Sequence, residues 1–149
     1  MRLRVSWTVL GFLGLALALP SARAVGDHRI PAGVALNVRT LQALDSDSAW
    51  SGMSVQAVVD DPIDVGGRIV LPRGAPARLE VVDVTRSPNL ENRGRITLRV
   101  LWIESRDRIS WVATNEVQFK GPSEGTGSHL RIPAETRMQF QLNTLVRVE

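Results

Sequence analysis

Apolar and polar residues alternate along several short stretches of this chain, which is the pattern of half-buried β-strands. The longest alternation covers residues 96–102, and shorter ones cover residues 34–38, 53–59, 75–81 and 138–142. No convincing helical period extends beyond two turns. Because turn-forming Gly, Pro, Asn and Asp separate the alternations, we predict an all-β domain of about six to eight strands, folded as a small, mostly antiparallel β-barrel or sandwich.

One turn followed by a strand occurs three times, as Ile-Pro-Ala-Gly, Leu-Pro-Arg-Gly and Ile-Pro-Ala-Glu. Proline at the second position and glycine at the fourth indicate a type I turn. We expect Gly33 and Gly74 to share a backbone conformation that Glu135, the matching residue of the third copy, does not adopt. We also expect the strands after the first and third copies to pair and close the sheet, which would remove exposed edges. The predicted structural turn residues are Pro31, Gly33, Pro72, Gly74 and Pro133.

Two hairpins and one bulge are predicted from local signals. Gly-Gly at 66–67 suits a two-residue hairpin turn, and a change of alternation after Val81 predicts a bulge. Arg-Asp at 106–107 is predicted to be the tip of a second hairpin. If that hairpin is centred on the tip, the opposite residues on one face are Trp102 with Trp111, Val100 with Ala113, and Ile96 with Val117.

The tryptophans are the residues best suited to binding, because their large rigid faces can stack on sugars or peptides. The predicted pairing of Trp102 with Trp111 favours a buried pair at one end of the core over an exposed stacking platform. Trp50 lies in a predicted loop beside Asp47. This loop, together with Arg99, is the candidate binding surface.

The first 24 residues have the pattern of a Sec-type bacterial signal peptide. Arg2 and Arg4 precede an apolar run at residues 5–19, and Ala22 and Ala24 mark a cleavage site after residue 24. The alternative, an uncleaved anchor, is disfavoured because the run is shorter than the ~20 residues that span a bilayer. We therefore expect a periplasmic or secreted protein without a stable transmembrane segment after cleavage.

The remaining chain is predicted to be a flexible leader at 25–29 and a single barrel-like domain at 30–149, with a flexible Gly/Ser-rich loop at 121–128. The chain contains no Cys, so this fold uses no disulfide. Of its 18 basic residues, three lie in the predicted signal, which leaves 15 against 15 acidic residues. A net charge of zero gives no reason to expect nucleic-acid binding.

No set of residues with catalytic spacing is apparent. The two histidines, His28 and His129, fall in the predicted leader and loop, and no Gly-x-Ser-x-Gly motif occurs. Aspartates at 45–48 and 60–64 offer oxygens that calcium could use, but both segments lack the Gly and Glu of a complete calcium loop, and turn capping explains them as well. We predict a protein that is not an enzyme and has no metal or cofactor.

Four features follow one another along the chain: the turn at 30–33, Ser46-Asp47, the segment 66–74, and the segment 95–104 with Asp107. In this order they resemble the C-terminal barrel of the channel-core subunit of bacterial conjugation and type IV secretion systems. The chain also resembles small exported bacterial β-domain proteins of unknown function, in which a Pro-Ala-Glu-Thr-Arg turn like that at 133–137 precedes the closing strand. Together these similarities cover most of residues 29–146.

The channel subunit differs in having a cytoplasmic start, a membrane helix, a Pro-rich stalk and a helical antenna, where this chain has a signal and a short Gly/Ser link. The resemblance therefore implies a β-barrel of the bacterial envelope. From it we predict a non-enzymatic exported β-domain that binds an envelope protein or a cell-wall component. The alternative is an accessory structural subunit of a secretion- or conjugation-type envelope assembly.

Overall fold

The computed structural model describes residues 28–86, 93–122 and 129–148, and all regular secondary structure in these ranges is β. The all-β prediction is confirmed. The predicted signal, leader residues 25–27 and loop residues 123–128 lie outside these ranges. The strands are β1 His28–Ile30, β2 Ala35–Thr40, β3 Leu44–Asp45, β4 Ser54–Val59, β5 Ile63–Val65, β6 Arg68–Leu71, β7 Pro76–Thr85, β8 Arg95–Ser105, β9 Arg108–Trp111, β10 Val117–Lys120, β11 Arg131–Ile132, β12 Arg137–Gln141 and β13 Val146–Val148.

The main sheet is antiparallel and has the order β10-β8-β7-β4-β2-β12, with β9 also paired to β8. It curls into a half-barrel whose two ends meet at an antiparallel bridge between Thr114 and Leu142. The Asn115 N–H donates to the Gln141 carbonyl at 3.1 Å, and the Asn143 N–H donates to the Ala113 carbonyl at 2.8 Å. The core therefore lies inside the curl, where the largest fully buried side chains include Leu36, Leu79, Leu98 and Phe140.

The strands after the first and third copies of the turn, β2 and β12, pair as predicted, with Val38 opposite Met138 and Leu36 opposite Phe140. This pairing does not itself close the sheet, because β12 is an end strand and the Thr114–Leu142 bridge makes the closing contact. The predicted leader, residues 25–29, extends two residues into the first strand. His28 and Arg29 belong to β1, which pairs with β13, because buried Ile30 fixes this ribbon to the core.

The repeated turn differs from its predicted type. The Ala75 N–H donates to the Pro72 carbonyl at 3.2 Å, so proline occupies the first position and Gly74 the third. Gly33 and Gly74 share positive φ values of 88° and 83°, which suits the third position of a type II turn. Glu135 also has a positive φ, of 65°, so the expectation that it adopts a different conformation is wrong.

The two hairpin tips agree with the predictions. Gly66 and Gly67 have φ values of 63° and 79°, and Arg106 and Asp107 have values of 48° and 64°. Positive φ at both central residues is the type I′ geometry that matches the twist of the flanking strands. The bulge predicted after Val81 is present as a shift in the β7–β8 register between Val81 and Asp83.

A second bulge in the β7–β8 pair was not predicted. Arg78 lies opposite Trp102 and Leu79 lies opposite Val100, so Leu101 is an extra residue. The bulge reverses the alternation of β8. As a result Val100 and Ile103, which are three residues apart, are both buried. Trp102 consequently leaves the face that it was predicted to share with Val100. The pair with Trp111 is correct in register, but it is not a core pair.

The register of β8 with β9 holds at Trp102 and Trp111. β9 ends at Trp111, before the predicted pair of Val100 with Ala113, and the predicted pair of Ile96 with Val117 is wrong. Val117 lies opposite Leu98, and Phe119 lies opposite Ile96. Two additional residues are accommodated between β9 and β10, where the Thr114 hydroxyl accepts a 3.1 Å hydrogen bond from the Val100 N–H. A shift of two residues keeps the same side chains facing the core.

Candidate functional site

Three neighbouring strands present a row of large outward-facing side chains, which we call the aromatic row: Trp111, Trp102 and Arg78. Trp111 lies directly opposite Trp102, which lies directly opposite Arg78. The Arg78 guanidinium carbon is 5.3 Å from the centroid of the Trp102 ring, within the range of a cation–π interaction. Trp111 is 71% exposed, and Trp102 is half-buried.

The aromatic row extends into a wider apolar patch. Ile109 precedes Trp111 by two residues on β9, so its side chain is on the same face, and it is 55% exposed. Glu104 lies opposite Ile109, and Gln56 lies opposite Arg78 on the far side of the row. An apolar centre is thus bordered by polar groups, as at protein-binding surfaces.

The predicted surface residues divide between this face and a separate loop. Arg99 borders the aromatic row, since its partner Glu80 follows Arg78 by two residues on β7, and Arg99 Nη2 and Glu80 Oε2 are 2.7 Å apart. Trp50 and Asp47 lie in the loop between β3 and β4. Trp50 is 59% exposed, and the Asp47 N–H donates to Asp45 Oδ1 at 2.9 Å. The pattern did not predict the aromatic row, because only the Leu101 bulge turns Trp102 outward.

A buried carboxylate with three arginines forms a second feature, the Asp60 cluster of Asp60, Arg39, Arg73 and Arg137. The Asp60 side chain is 3% exposed. Its oxygens lie 3.0 Å from Arg137 Nε and 3.4 Å from both Arg39 Nε and Arg73 Nη2. The contact with Arg39 is an ion pair only, because Arg39 Nε makes no hydrogen bond of normal geometry. A buried carboxylate needs such partners, since desolvation of an unpaired charge costs several kcal/mol.

Two cavities lie along the outward side of β12. One, of about 280 Å³, is lined by residues that include Asp60, Asp61, Arg137 and Gln139. The other, of about 260 Å³, is lined by residues that include Asn115, Gln139 and Gln141. Gln139 therefore lines both cavities.

The remaining candidate ligands take part in local structure. The Asp45 and Asp64 carboxylates accept hydrogen bonds from Asp47 and Gly67 N–H groups in their own turns. His28 Nε2 lies 3.1 Å from Arg68 Nη1. Among the residues that the structure describes, no group of three or more His, Cys, Asp or Glu side chains could hold a metal ion. In the same ranges, no helix has the length and apolarity needed to cross a membrane.

Comparison with protein-family models gave no match, and a search of curated proteins found no relative. The resemblance to envelope β-barrels therefore stays a prediction.

Proposed function

We propose that the protein is a non-enzymatic, exported β-domain of the bacterial envelope that binds a partner protein through the aromatic row. The observation that carries the proposal is the exposure of Trp111 beside Trp102 and Arg78. Tryptophan and arginine are the residues most enriched where a few side chains carry most of the binding free energy. Export is supported by the signal-like pattern of residues 1–24.

The geometry favours a protein over a glycan as the partner. Ile109 widens the exposed apolar area beyond the two tryptophan rings. Arg78 supplies a half-buried cation, and among the described residues its recorded contact is the Trp102 ring rather than a carboxylate. An apolar surface around an available cation is complementary to a protein surface that carries an acidic group among apolar ones.

Replacement of Trp111 tests this proposal. Trp111→Ala should weaken binding about 30-fold or more, as truncation of a hot-spot residue costs at least ~2 kcal/mol. The measurement is proximity labelling and co-purification from native envelopes, followed by titration of the captured protein against purified variants. Trp50→Ala is the matched control, because Trp50 is exposed but lies outside the row. Equal loss of binding in both variants, or binding of wall glycan alone, would contradict the proposal.

The second candidate is an accessory subunit of a secretion- or conjugation-type assembly. The observation in its favour is the curled half-barrel sheet, since the resemblance to the channel-core subunit implied a β-barrel. Native size distinguishes the candidates: co-migration with a large envelope complex supports the subunit, and a small species supports the free binding module. Hydrolysis of a wall fragment by the purified protein, abolished by one Asp or Glu substitution, would overturn the non-enzymatic proposal.

A further inference from the structure

The outward face of β7, β8 and β9 carries two half-buried charges, Arg78 and Glu104, next to Trp102. Arg78 lies opposite Trp102 on the neighbouring strand. Glu104 follows Trp102 by two residues on β8, and the residue between them, Ile103, is buried, so Glu104 and Trp102 share the outward face. One charge is therefore displaced from the tryptophan across the strands, and the other along its strand.

Neither charge has an oppositely charged partner among the described residues. Arg78 instead contacts the Trp102 ring, with its guanidinium carbon 5.3 Å from the ring centroid. In the part of the chain that the structure describes, the Glu104 carboxylate takes part in no ion pair or hydrogen bond. The next two charges on this face, Arg99 and Glu80, pair with each other at 2.7 Å. Contact of Arg78 and Glu104 with a binding partner therefore breaks no existing ion pair.

These two charges restrict the kind of surface that fits the aromatic row. A uniformly acidic surface would be repelled by Glu104, and a uniformly basic one would be repelled by Arg78. The partner has to present both an acid and a base beside apolar groups. The outward face of β7–β9 has this composition itself, because exposed Trp111 and Ile109 lie beside the same two charges. Its four charges sum to zero, so it does not repel a second copy of itself: Arg78, Arg99, Glu80 and Glu104.

A second copy of the chain matches both charges at once if a two-fold axis relates the copies. Neighbouring strands are about 4.8 Å apart, and residues two positions apart on one strand are separated by about 7 Å, so Arg78 and Glu104 lie at comparable distances from Trp102. An axis over Trp102 that passes between the two charges brings Arg78 of each copy against Glu104 of the other. Trp111 lies beside Trp102 on the side away from Arg78, so it is also close to this axis.

We propose that the partner bound by the aromatic row is a second copy of this chain. The two copies form a symmetric dimer with two Arg78–Glu104 ion pairs around an apolar centre of Trp102, Trp111 and Ile109. This inference rests on the proposed function and narrows the partner of the same surface. Because a two-fold interface uses the same patch on both copies, the dimer is closed and does not extend into a filament.

Reversal of each charge tests the proposal. Arg78→Glu and Glu104→Arg each place like charges together twice in the dimer, so each variant alone should dimerise at least about tenfold more weakly than the wild type. An equimolar mixture of the two variants should form a heterodimer about as strong as the wild-type dimer, because every pair then has opposite signs. Sedimentation velocity of the purified protein over a range of concentrations measures dimerisation, and native mass spectrometry separates the heterodimer from the homodimers.

Three further variants serve as controls for folding and for the position of the interface. The chain with both reversals should dimerise as the wild type does, since its ion pairs are restored in the opposite sense. Trp111→Ala should weaken the dimer about 30-fold or more. Trp50→Ala should change dimerisation less than threefold, because Trp50 is exposed but lies in the loop between β3 and β4.

The inference is overturned if the wild type stays monomeric up to about 0.3 mM. A mixture of the two folded single variants that yields no heterodimer, or a dimer that Trp50→Ala and Trp111→Ala weaken equally, also overturns it. Failure of this inference is distinguishable from failure of the proposed function. A monomer that binds a different envelope protein through Trp111 overturns the second-copy inference alone, whereas a dimer and an envelope complex that both tolerate Trp111→Ala overturn both.

Discussion

Glu135 holds a backbone conformation that residues other than glycine seldom adopt, with φ at 65°. Its surroundings compensate for this conformation. Its N–H donates to the Thr40 carbonyl at 2.8 Å, its carboxylate pairs with Arg39, and the Thr136 hydroxyl donates to the Pro133 carbonyl at 2.7 Å. The sequence alone suggested that a glutamate here would force a different turn, but two of the contacts that fix the turn come from Arg39 and Thr40 on β2, far away in the chain.

Substitution at Glu135 separates the backbone contribution from that of the side chain. Glu135→Gly and Glu135→Ala both lose the ion pair with Arg39, but only glycine adopts positive φ freely. We expect the glycine variant to have a free energy of unfolding about 1 kcal/mol higher than the alanine variant. Urea unfolding of both measures this difference. Equal stabilities would mean that the turn changes its conformation in the alanine variant.

At the scale of the element, local patterns predicted the longer strands and the two hairpin tips, while the type of the repeated turn and the bulge in β8 escaped them. Hairpin tips depend on two adjacent residues, so 66–67 and 106–107 could be recognised. The Leu101 bulge could not be, because Leu101, Trp102 and Ile103 are all apolar and fit either alternation. Only pairing with β7 decides which of them is the extra residue.

The junction between β9 and β10 depends on the Thr114 side chain. Its hydroxyl accepts from the Val100 N–H and donates to the Asn115 carbonyl at 2.9 Å. Thr114→Val keeps the shape but leaves the buried Val100 N–H without a partner. We expect a loss of about 1–3 kcal/mol in the free energy of unfolding, together with faster exchange of the Val100 amide.

Thr114→Ser is the control for this prediction, because it keeps the hydroxyl, and we expect it to retain the slow exchange of the Val100 amide. Exchange in Thr114→Val as slow as in the wild type would contradict the assigned role of this hydroxyl.

At the scale of the whole molecule, the Asp60 cluster joins β2, the turn after β6 and β12 at one carboxylate. The sequence could not show this cluster, because its members come from four separate segments and each looks like an ordinary surface charge. The curl of the sheet brings them together. The same limit applies to the aromatic row, which exists only once the strand order is known.

Removal of the Asp60 charge should therefore weaken the fold, whereas removal of its neighbour's charge should not. We expect Asp60→Asn to lower the free energy of unfolding by about 1–3 kcal/mol, a modest loss because Arg73 and Arg137 are mostly exposed and solvent can screen them. Asp61→Asn, at an exposed position, should stay within about 0.5 kcal/mol of the wild type. Urea unfolding at low salt measures both, and equal effects would show that the cluster does not tie these strands together.

The extra residue at Leu101 has a consequence for how β8 tolerates a change in chain length. Deletion of Leu101 would remove the bulge and leave Val100 opposite Leu79, Trp102 opposite Arg78 and Ile103 opposite Ala77 in one regular ladder. Trp102 would keep its outward orientation and Ile103 its buried one. The aromatic row should therefore survive the loss of this one residue.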